Sequence, residues 1–205
     1  IYFKTAKPPE TMFSDKAFDW FRGQYSGFSS EISEENLKII VASKSHLQHK
    51  PRFWQQHITA FGGYLLNQPD NGELNNHDPA LFHGKFLFVH INRKTGITKL
   101  YNDMLGHFPV YYYENHDCFY FSSNLNFLLK LDIDKTLSLQ HIADYFFWGS
   151  TLPGTTFFEK INLLPPASKL ILRRNRSVKF SSYKIQTNRY KFKNAGEAAE
   201  ELNYV

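Results

Sequence analysis

Cysteine and long apolar runs are what this sequence has least of, and each shortage excludes a class of structure. A single cysteine, Cys118, occurs among the 205 residues, so the chain cannot form an internal disulfide and suits a reducing compartment, expected to be the cytoplasm. No apolar run reaches the roughly 18 residues that a membrane-spanning helix needs. The sequence therefore predicts a protein without a membrane span.

Metal-ligand patterns are also missing. The nine histidines are scattered, and none forms a pair at helical spacing with a carboxylate partner. Cys118 lies within a predicted strand and is interpreted as a small core residue, because free cysteines are often buried. We therefore predict no metal site and no cofactor in this domain.

The basic excess is modest and lies late in the chain. The formal net charge is +5, and many lysines and arginines occur between residues 169 and 193. A basic surface can attract nucleic acid or acidic ligands. The stretch lacks a recognition-helix pattern, so a solvated hairpin followed by a linker is the preferred interpretation. Nucleic acid is not favoured as a partner, whereas a stand-alone binding module for an acidic ligand stays open as an alternative function.

Aromatic residues are abundant and favour a β-rich core. The chain contains 20 phenylalanines and 12 tyrosines, and its length suits one substantial core. Residues 85–91, 97–101, 110–113 and 118–121 have strand composition and are separated by polar turns. We predict that these four strands form one antiparallel meander.

A shaped loop interrupts this stretch at residues 103–109. Gly106 permits a positive φ, and Pro109 fixes φ and removes a backbone donor. Asp103 opens the loop, and aspartate side chains in turns often accept hydrogen bonds from nearby backbone N–H groups. A structural role for Asp103 is thus the first hypothesis.

The hydrophobic period becomes helical after residue 122. Ser123 is predicted as the N-cap of a first helix that has Leu128 on its apolar side. A second helix is expected to begin at Ser138 and to stop at Gly149. The rigid turn Leu-Pro-Pro at residues 164–166 then leads into a last hairpin.

Four short motifs in this order carry a family resemblance. They are Gly-Lys-Phe-Leu-Phe at residues 84–88, Asn-Asp-Met-Leu-Gly-His-Phe-Pro-Val-Tyr-Tyr at 102–112, Tyr-Phe-Ser-Ser at 120–123 and Ile-Asn-Leu-Leu-Pro-Pro at 161–166. Their order and spacing resemble the N-terminal domain of asparagine synthase-type proteins. That domain is a class II glutamine amidotransferase domain with the N-terminal-nucleophile (Ntn) hydrolase fold.

The resemblance implies an α+β fold, an Ntn-hydrolase-like sandwich of two antiparallel β-sheets flanked by helices. It assigns residues 1–186 to the amidotransferase-like domain and leaves residues 187–205 as a linker and the start of an inter-domain helix. It also implies a partner, a C-terminal ATP-dependent synthetase domain of the same protein. ATP and Mg²⁺ would be needed only by that domain, and the sequence leaves homo-oligomerisation open.

The resemblance also indicates where the family's chemistry should lie. The glutaminase reaction uses a cysteine as first residue, whose thiolate attacks the glutamine amide while its free α-amino group acts as the base. Ile1 stands at the start of this sequence, so we predict no catalytic residue. Asn102, which replaces an arginine of the family motif, Asp103 and Gly106 are the substrate-loop candidates. Residues 71–76 look like the family's oxyanion-hole segment but lie too close to the first motif, and we interpret them as an Asn-rich loop.

The expected function is therefore that of a degenerate glutamine amidotransferase-like domain without glutaminase activity. Its role would be structural or regulatory, beside the amide-forming domain of an asparagine synthase-like ATP-dependent amide ligase. The alternative is an active glutamine-hydrolysing amidotransferase domain whose N-terminal cysteine lies outside this sequence.

Overall fold

The computed structural model describes residues 2–4, 15–24, 28–34, 37–43, 52–54, 56–66, 79–115, 118–173, 178–182 and 196. Three of the predictions concern residues outside these ranges. They are the loop at residues 71–76, the lack of a catalytic residue at position 1 and, apart from position 196, the linker at 187–205. Within the described residues, the chain is a mixed α+β structure with two antiparallel sheets and few helices.

The first sheet contains six strands. In chain order they are β1 (Tyr2–Lys4), β2 (Phe28–Glu34), β3 (Leu37–Ser43), β8 (Tyr111–Glu114), β9 (Cys118–Ser122) and β10 (Ile161–Leu163). Across the sheet they lie in the order β10-β8-β9-β1-β3-β2, and every pairing is antiparallel.

The second sheet also contains six strands. They are β4 (Arg52–Trp54), β5 (His57–Leu65), β6 (Gly84–Asn92), β7 (Ile97–Asn102), β11 (Ser168–Leu172) and β12 (Val178–Ser182). They lie in the order β12-β11-β7-β6-β5-β4, again antiparallel throughout.

The predicted four-strand meander is wrong in one respect. The four strands exist, but β6 and β7 pair in the second sheet while β8 and β9 pair in the first. The meander is therefore two hairpins, one in each sheet, and the loop after β7 carries the chain from one sheet to the other. Local composition identifies the strands, whereas the choice of sheet depends on contacts with distant strands.

The main hydrophobic core takes side chains from both sheets, as a two-layer sandwich requires. Ile39, Phe119 and Phe121 of the first sheet join Val89 and Leu100 of the second in one buried cluster. Strand alternation accounts for this arrangement, because successive side chains of a strand point to opposite faces.

Strand β6 is buried on both faces. Leu87 and Val89 belong to the inter-sheet core. Phe86 and Phe88, the alternate residues, join an aromatic cluster with Tyr101 on the opposite face of the second sheet. The second sheet therefore has an apolar surface on each side.

Helices α1 (Asp15–Gly23) and α2 (Leu125–Lys130) pack on the first sheet. Phe18 and Leu128 form a cluster with Cys118 and Tyr120 of β9. The predicted N-cap at Ser123 is one residue early. Asn124 caps α2, because its side chain accepts a hydrogen bond from the N–H of Asn126 (2.9 Å).

Helix α3 (Leu139–Trp148) has the predicted ends. The Ser138 side chain accepts a hydrogen bond from His141 N, and Gly149 ends the helix in the left-handed conformation (φ 74°). No residue of α3 is buried. A short 3-10 turn (Pro79–Leu81) completes the described elements, and no helix among the described residues has the length and apolarity needed to cross a membrane.

Candidate functional site

Two crossovers between the sheets lie side by side and form the candidate site. Residues 103–110, the crossover loop, connect β7 to β8, and residues 164–167, the return turn, connect β10 to β11. Backbone hydrogen bonds join the two segments: Leu164 N donates to Val110 O (2.8 Å), and Ala167 N donates to Asp103 O (3.0 Å). The Leu-Pro-Pro motif and the Asn-Asp motif of the sequence therefore lie next to each other in the fold.

The Asp103 carboxylate holds the crossover loop in shape. Its side chain is completely buried. Oδ1 accepts hydrogen bonds from Leu105 N (3.1 Å) and His107 N (2.9 Å), and Oδ2 accepts from Phe108 N (2.8 Å) and more weakly from Phe86 N (3.4 Å). Hydrogen bonds from backbone N–H groups to a carboxylate are among the stronger ones in proteins. The carboxylate thus accepts hydrogen bonds from loop N–H groups that would pair with carbonyl groups in a helix or a sheet.

The backbone of Asp103 is engaged as well. Its N–H donates to Phe86 O (3.0 Å) on strand β6, and its carbonyl accepts from Gly106 N (3.1 Å) and Ala167 N. Every hydrogen-bonding group of Asp103 therefore has a partner within the protein. This geometry is that of the structural role predicted first for Asp103.

Asn102 ties β7 to the return turn. It is completely buried. Its Oδ1 accepts a hydrogen bond from Ser168 N (2.7 Å), and its Nδ2 donates to Pro165 O (2.7 Å) and Leu164 O (3.4 Å). An arginine, which the related motif has here, offers donors only and could not accept from Ser168 N. Asparagine suits this position because it both donates and accepts.

The backbone conformation of Gly106 and its contact with the return turn both favour glycine. Its φ is +66°, in the left-handed region that favours glycine, and a Cβ at this position would lie 3.0 Å from Pro166 Cγ. Close packing also occurs behind the loop, where the Phe108 ring lies against strand β5. A Cβ on Gly62 would be 3.2 Å from Phe108 Cζ. The loop is therefore packed on both sides.

The three substrate-loop candidates thus lie close together, but the side chains of Asn102 and Asp103 face the protein interior. Asn102 and Asp103 are inaccessible to solvent, and Gly106 is half-buried. The side chains that the loop exposes are those of Leu105 and His107. Sequence reasoning did not find the partners of Asn102 in the return turn, because they lie more than sixty residues away in the chain.

Cys118 is a core residue, as interpreted from the sequence. It is 5% exposed at the start of β9 and packs in the cluster between the first sheet and its helices. Its backbone N donates to Asn115 Oδ1 (2.8 Å), and its Sγ lies 3.1 Å from the same oxygen. A thiol in this position cannot meet a substrate that arrives from solvent.

No cluster of three or more histidine, cysteine, aspartate and glutamate side chains suited to a metal ion occurs in the described ranges. The candidate site, the pair of crossovers, is built from amide, carboxylate and backbone groups.

Comparison with known proteins adds one match. A family profile described as a glutamine amidotransferase domain matches residues 73–184. These residues are more than half of the chain and include both crossovers, Cys118 and α3. No curated protein matches the chain.

Proposed function

The chain belongs to the family of glutamine amidotransferase domains, and from this membership we propose that it keeps the scaffold of such a domain without the glutaminase reaction. In this proposal the fold is that of the Ntn hydrolases. The domain acts as a structural or regulatory partner of a C-terminal, ATP-dependent amide-forming domain of asparagine synthase type. ATP and Mg²⁺ would serve that second domain only, and the protein would work in the cytoplasm.

The observation that carries the proposal is the burial of the polar side chains at the crossover loop. The resemblance makes Asn102 and Asp103 candidates in a loop near the substrate, but both side chains are buried and their polar groups are taken by backbone partners. Presenting Asp103 to a ligand would break at least three hydrogen bonds of 2.8 to 3.1 Å. Leaving buried N–H groups without partners costs about 1–3 kcal/mol each. The geometry therefore supports a scaffold role for this loop.

Cys118 supports the same interpretation. An N-terminal nucleophile uses its own free α-amino group as the base. The nitrogen of Cys118 is part of a peptide bond and donates to Asn115 Oδ1, and the thiol faces the core. The one cysteine of this sequence therefore cannot carry out the family's reaction by the family's mechanism.

A partner domain is supported by the surface of α3. Large apolar side chains on several sides of this helix are exposed: Leu139 by 82%, Phe146 by 81%, Phe147 by 78% and Trp148 by 66%. Large exposed apolar surfaces of this kind mark sites of contact with another protein surface or a membrane. Helix α3 contains no lysine or arginine, whereas helices that lie on membranes are rich in both. These features favour a protein surface as the covering partner.

The N-terminal end of α3 is joined to residues 157–160. Ser138 N donates to Phe157 O (2.9 Å), and the ammonium group of Lys160 lies 2.7 Å from the Asp134 carboxylate. The hydrogen bond from Lys160 keeps the pKa of Asp134 well below its usual range.

The catalytic part of the proposal is tested by measuring glutamate release from L-glutamine. The native full-length protein and its Cys118→Ala variant are compared. No release above buffer is expected from either. Equal turnover by both would place the nucleophile elsewhere and establish the alternative of an active amidotransferase whose leading cysteine lies outside this sequence. Turnover that Cys118→Ala abolishes would refute the interpretation of Cys118.

The partner role is tested by thiol labelling of the full-length protein in a Cys118→Ala background. Phe146→Cys reports on the α3 surface, and Leu105→Cys, on the exposed part of the crossover loop, serves as the control. If the synthetase domain covers α3, a maleimide labels position 105 rapidly and position 146 slowly. Equally rapid labelling at both positions would contradict a covering domain.

A further inference from the structure

Two histidines on neighbouring strands of the second sheet face each other. His57 Nδ1 and His90 Nε2 are 3.1 Å apart, within hydrogen-bond distance. The ring centroids are 5.1 Å apart and the ring planes differ by 18°. The ring planes are therefore nearly parallel, and the rings approach each other through these two nitrogens. Such an arrangement is a hydrogen bond when one nitrogen carries a hydrogen and the other is a free acceptor.

The strands around this histidine pair bring further positive charge and no negative charge. Lys99 of β7 lies directly opposite His90. None of the six strands of the second sheet contains an aspartate or a glutamate. No strand residue of this sheet can therefore supply a carboxylate to stabilise an imidazolium ion.

Partial burial is the largest cause that lowers the pKa of His90, and the charges of His57 and Lys99 lower it further. The same cationic surroundings disfavour a metal ion between the rings. The facing nitrogens are thus suited to sharing one hydrogen.

We propose that the His57–His90 pair is a proton-responsive connection between β5 and β6, which closes at neutral pH and opens when both rings become protonated. With both rings charged, two N–H donors face each other and neither nitrogen can accept. Two positive charges then repel each other at a partly buried site, where screening by water is weak. The end of the second sheet, formed by β5 and β4, loses this connection to β6.

The sign of the pH effect follows from the lowered pKa. A histidine in the unfolded chain has a pKa of about 6.5. Below that pH the unfolded chain binds a proton that His90 of the folded protein resists, so stability falls as the pH falls. The stabilisation is complete above the unfolded pKa and is lost as the pH drops through the lowered pKa of His90 in the folded protein. This inference does not depend on whether the domain hydrolyses glutamine.

The test is urea unfolding of the protein between pH 8 and pH 5. Three proteins are compared: the wild type, His90→Gln, and His83→Gln as an exposed-histidine control. From pH 7.5 to pH 5.5 the folding constant of the wild type should fall by a larger factor than that of His90→Gln, because only the wild type loses the histidine pair on protonation. His83→Gln should follow the wild type. The same pH dependence in His90→Gln and wild type would overturn the proposal.

A second measurement serves if His90→Gln does not fold. Nitrogen NMR of the wild-type imidazoles follows each ring during acid titration. The proposal predicts that the two rings titrate in coupled steps, the second at a pH well below that of an ordinary histidine. Two independent titrations with ordinary midpoints would refute it.

Discussion

Replacing Asp103 by asparagine keeps the shape of the side chain but converts one of its two acceptor oxygens into a donor. Whichever way the new amide lies, it faces backbone N–H groups that it cannot satisfy. One orientation removes the acceptor for Phe108 N, at 2.8 Å, and the other removes it for Leu105 N and His107 N. At least one short hydrogen bond to a buried carboxylate is lost in each case.

The expected cost is about 3 kcal/mol. A hydrogen bond to a charged group contributes about 1.5–3 kcal/mol, and an unsatisfied buried donor costs about 1–3 kcal/mol. With a urea m-value of about 2 kcal/mol/M, the unfolding midpoint should fall by roughly 1.5 M. The change in free energy is a large part of the stability of about 5–15 kcal/mol typical of a native protein.

The assay is equilibrium urea unfolding followed by tryptophan fluorescence. Asp132→Asn is the matched control, because Asp132 is an exposed aspartate in the same chain. The control should lie within about 0.5 kcal/mol of the wild type. An Asp103→Asn protein that unfolds at the same midpoint as Asp132→Asn would refute the claim that the carboxylate holds the crossover loop.

Three further predictions test other parts of the structure. Gly106→Ala should destabilise the protein in urea by about 2 kcal/mol, because its φ of +66° is costly for alanine and a proline side chain lies 3.0 Å from the new methyl group. Gly149→Ala, with φ +74° and open space around it, should cost only about 1 kcal/mol, and equal costs would contradict a clash at Gly106. A thiol reagent should modify Cys118 only as fast as the protein unfolds, so rapid modification of the native protein would show that the thiol is accessible. In the 205-residue chain by itself, Phe146→Ser should change the free energy of unfolding by at most about 0.5 kcal/mol, whereas Leu128→Ala should cost about 2–5 kcal/mol; comparable losses would show that Phe146 is buried within this chain.

Features set by local chemistry could be predicted from the sequence. The ends of α3 follow from Ser138 and Gly149, each of which acts on the backbone within one turn. The role of Asp103 was predicted for the same reason, because all four N–H groups that it could reach belong to the loop or to strand β6 beside it. The N-cap of α2 was misplaced by one residue, because Ser123 and Asn124 are both good caps.

Features set by distant contacts could not be predicted. Nothing in the composition of β8 shows that it pairs with β9 and β10 in the first sheet rather than with β7 in the second. The partners of Asn102 lie in the return turn, which the sequence presented only as a rigid Leu-Pro-Pro segment. Hydrophobic periodicity could not predict the exposure of Phe146 either, because an apolar stripe on a helix predicts burial but does not identify what covers it.

The most direct test of the central claim, that the scaffold has no working glutamine nucleophile, is intact-mass spectrometry after treatment with a chloroketone analogue of glutamine. A reactive thiolate in a glutamine site would displace chloride from the analogue and form a stable thioether. The account predicts that the native full-length protein keeps its mass. An adduct of one analogue per chain that forms equally in Cys118→Ala, and that L-glutamine prevents, would contradict it.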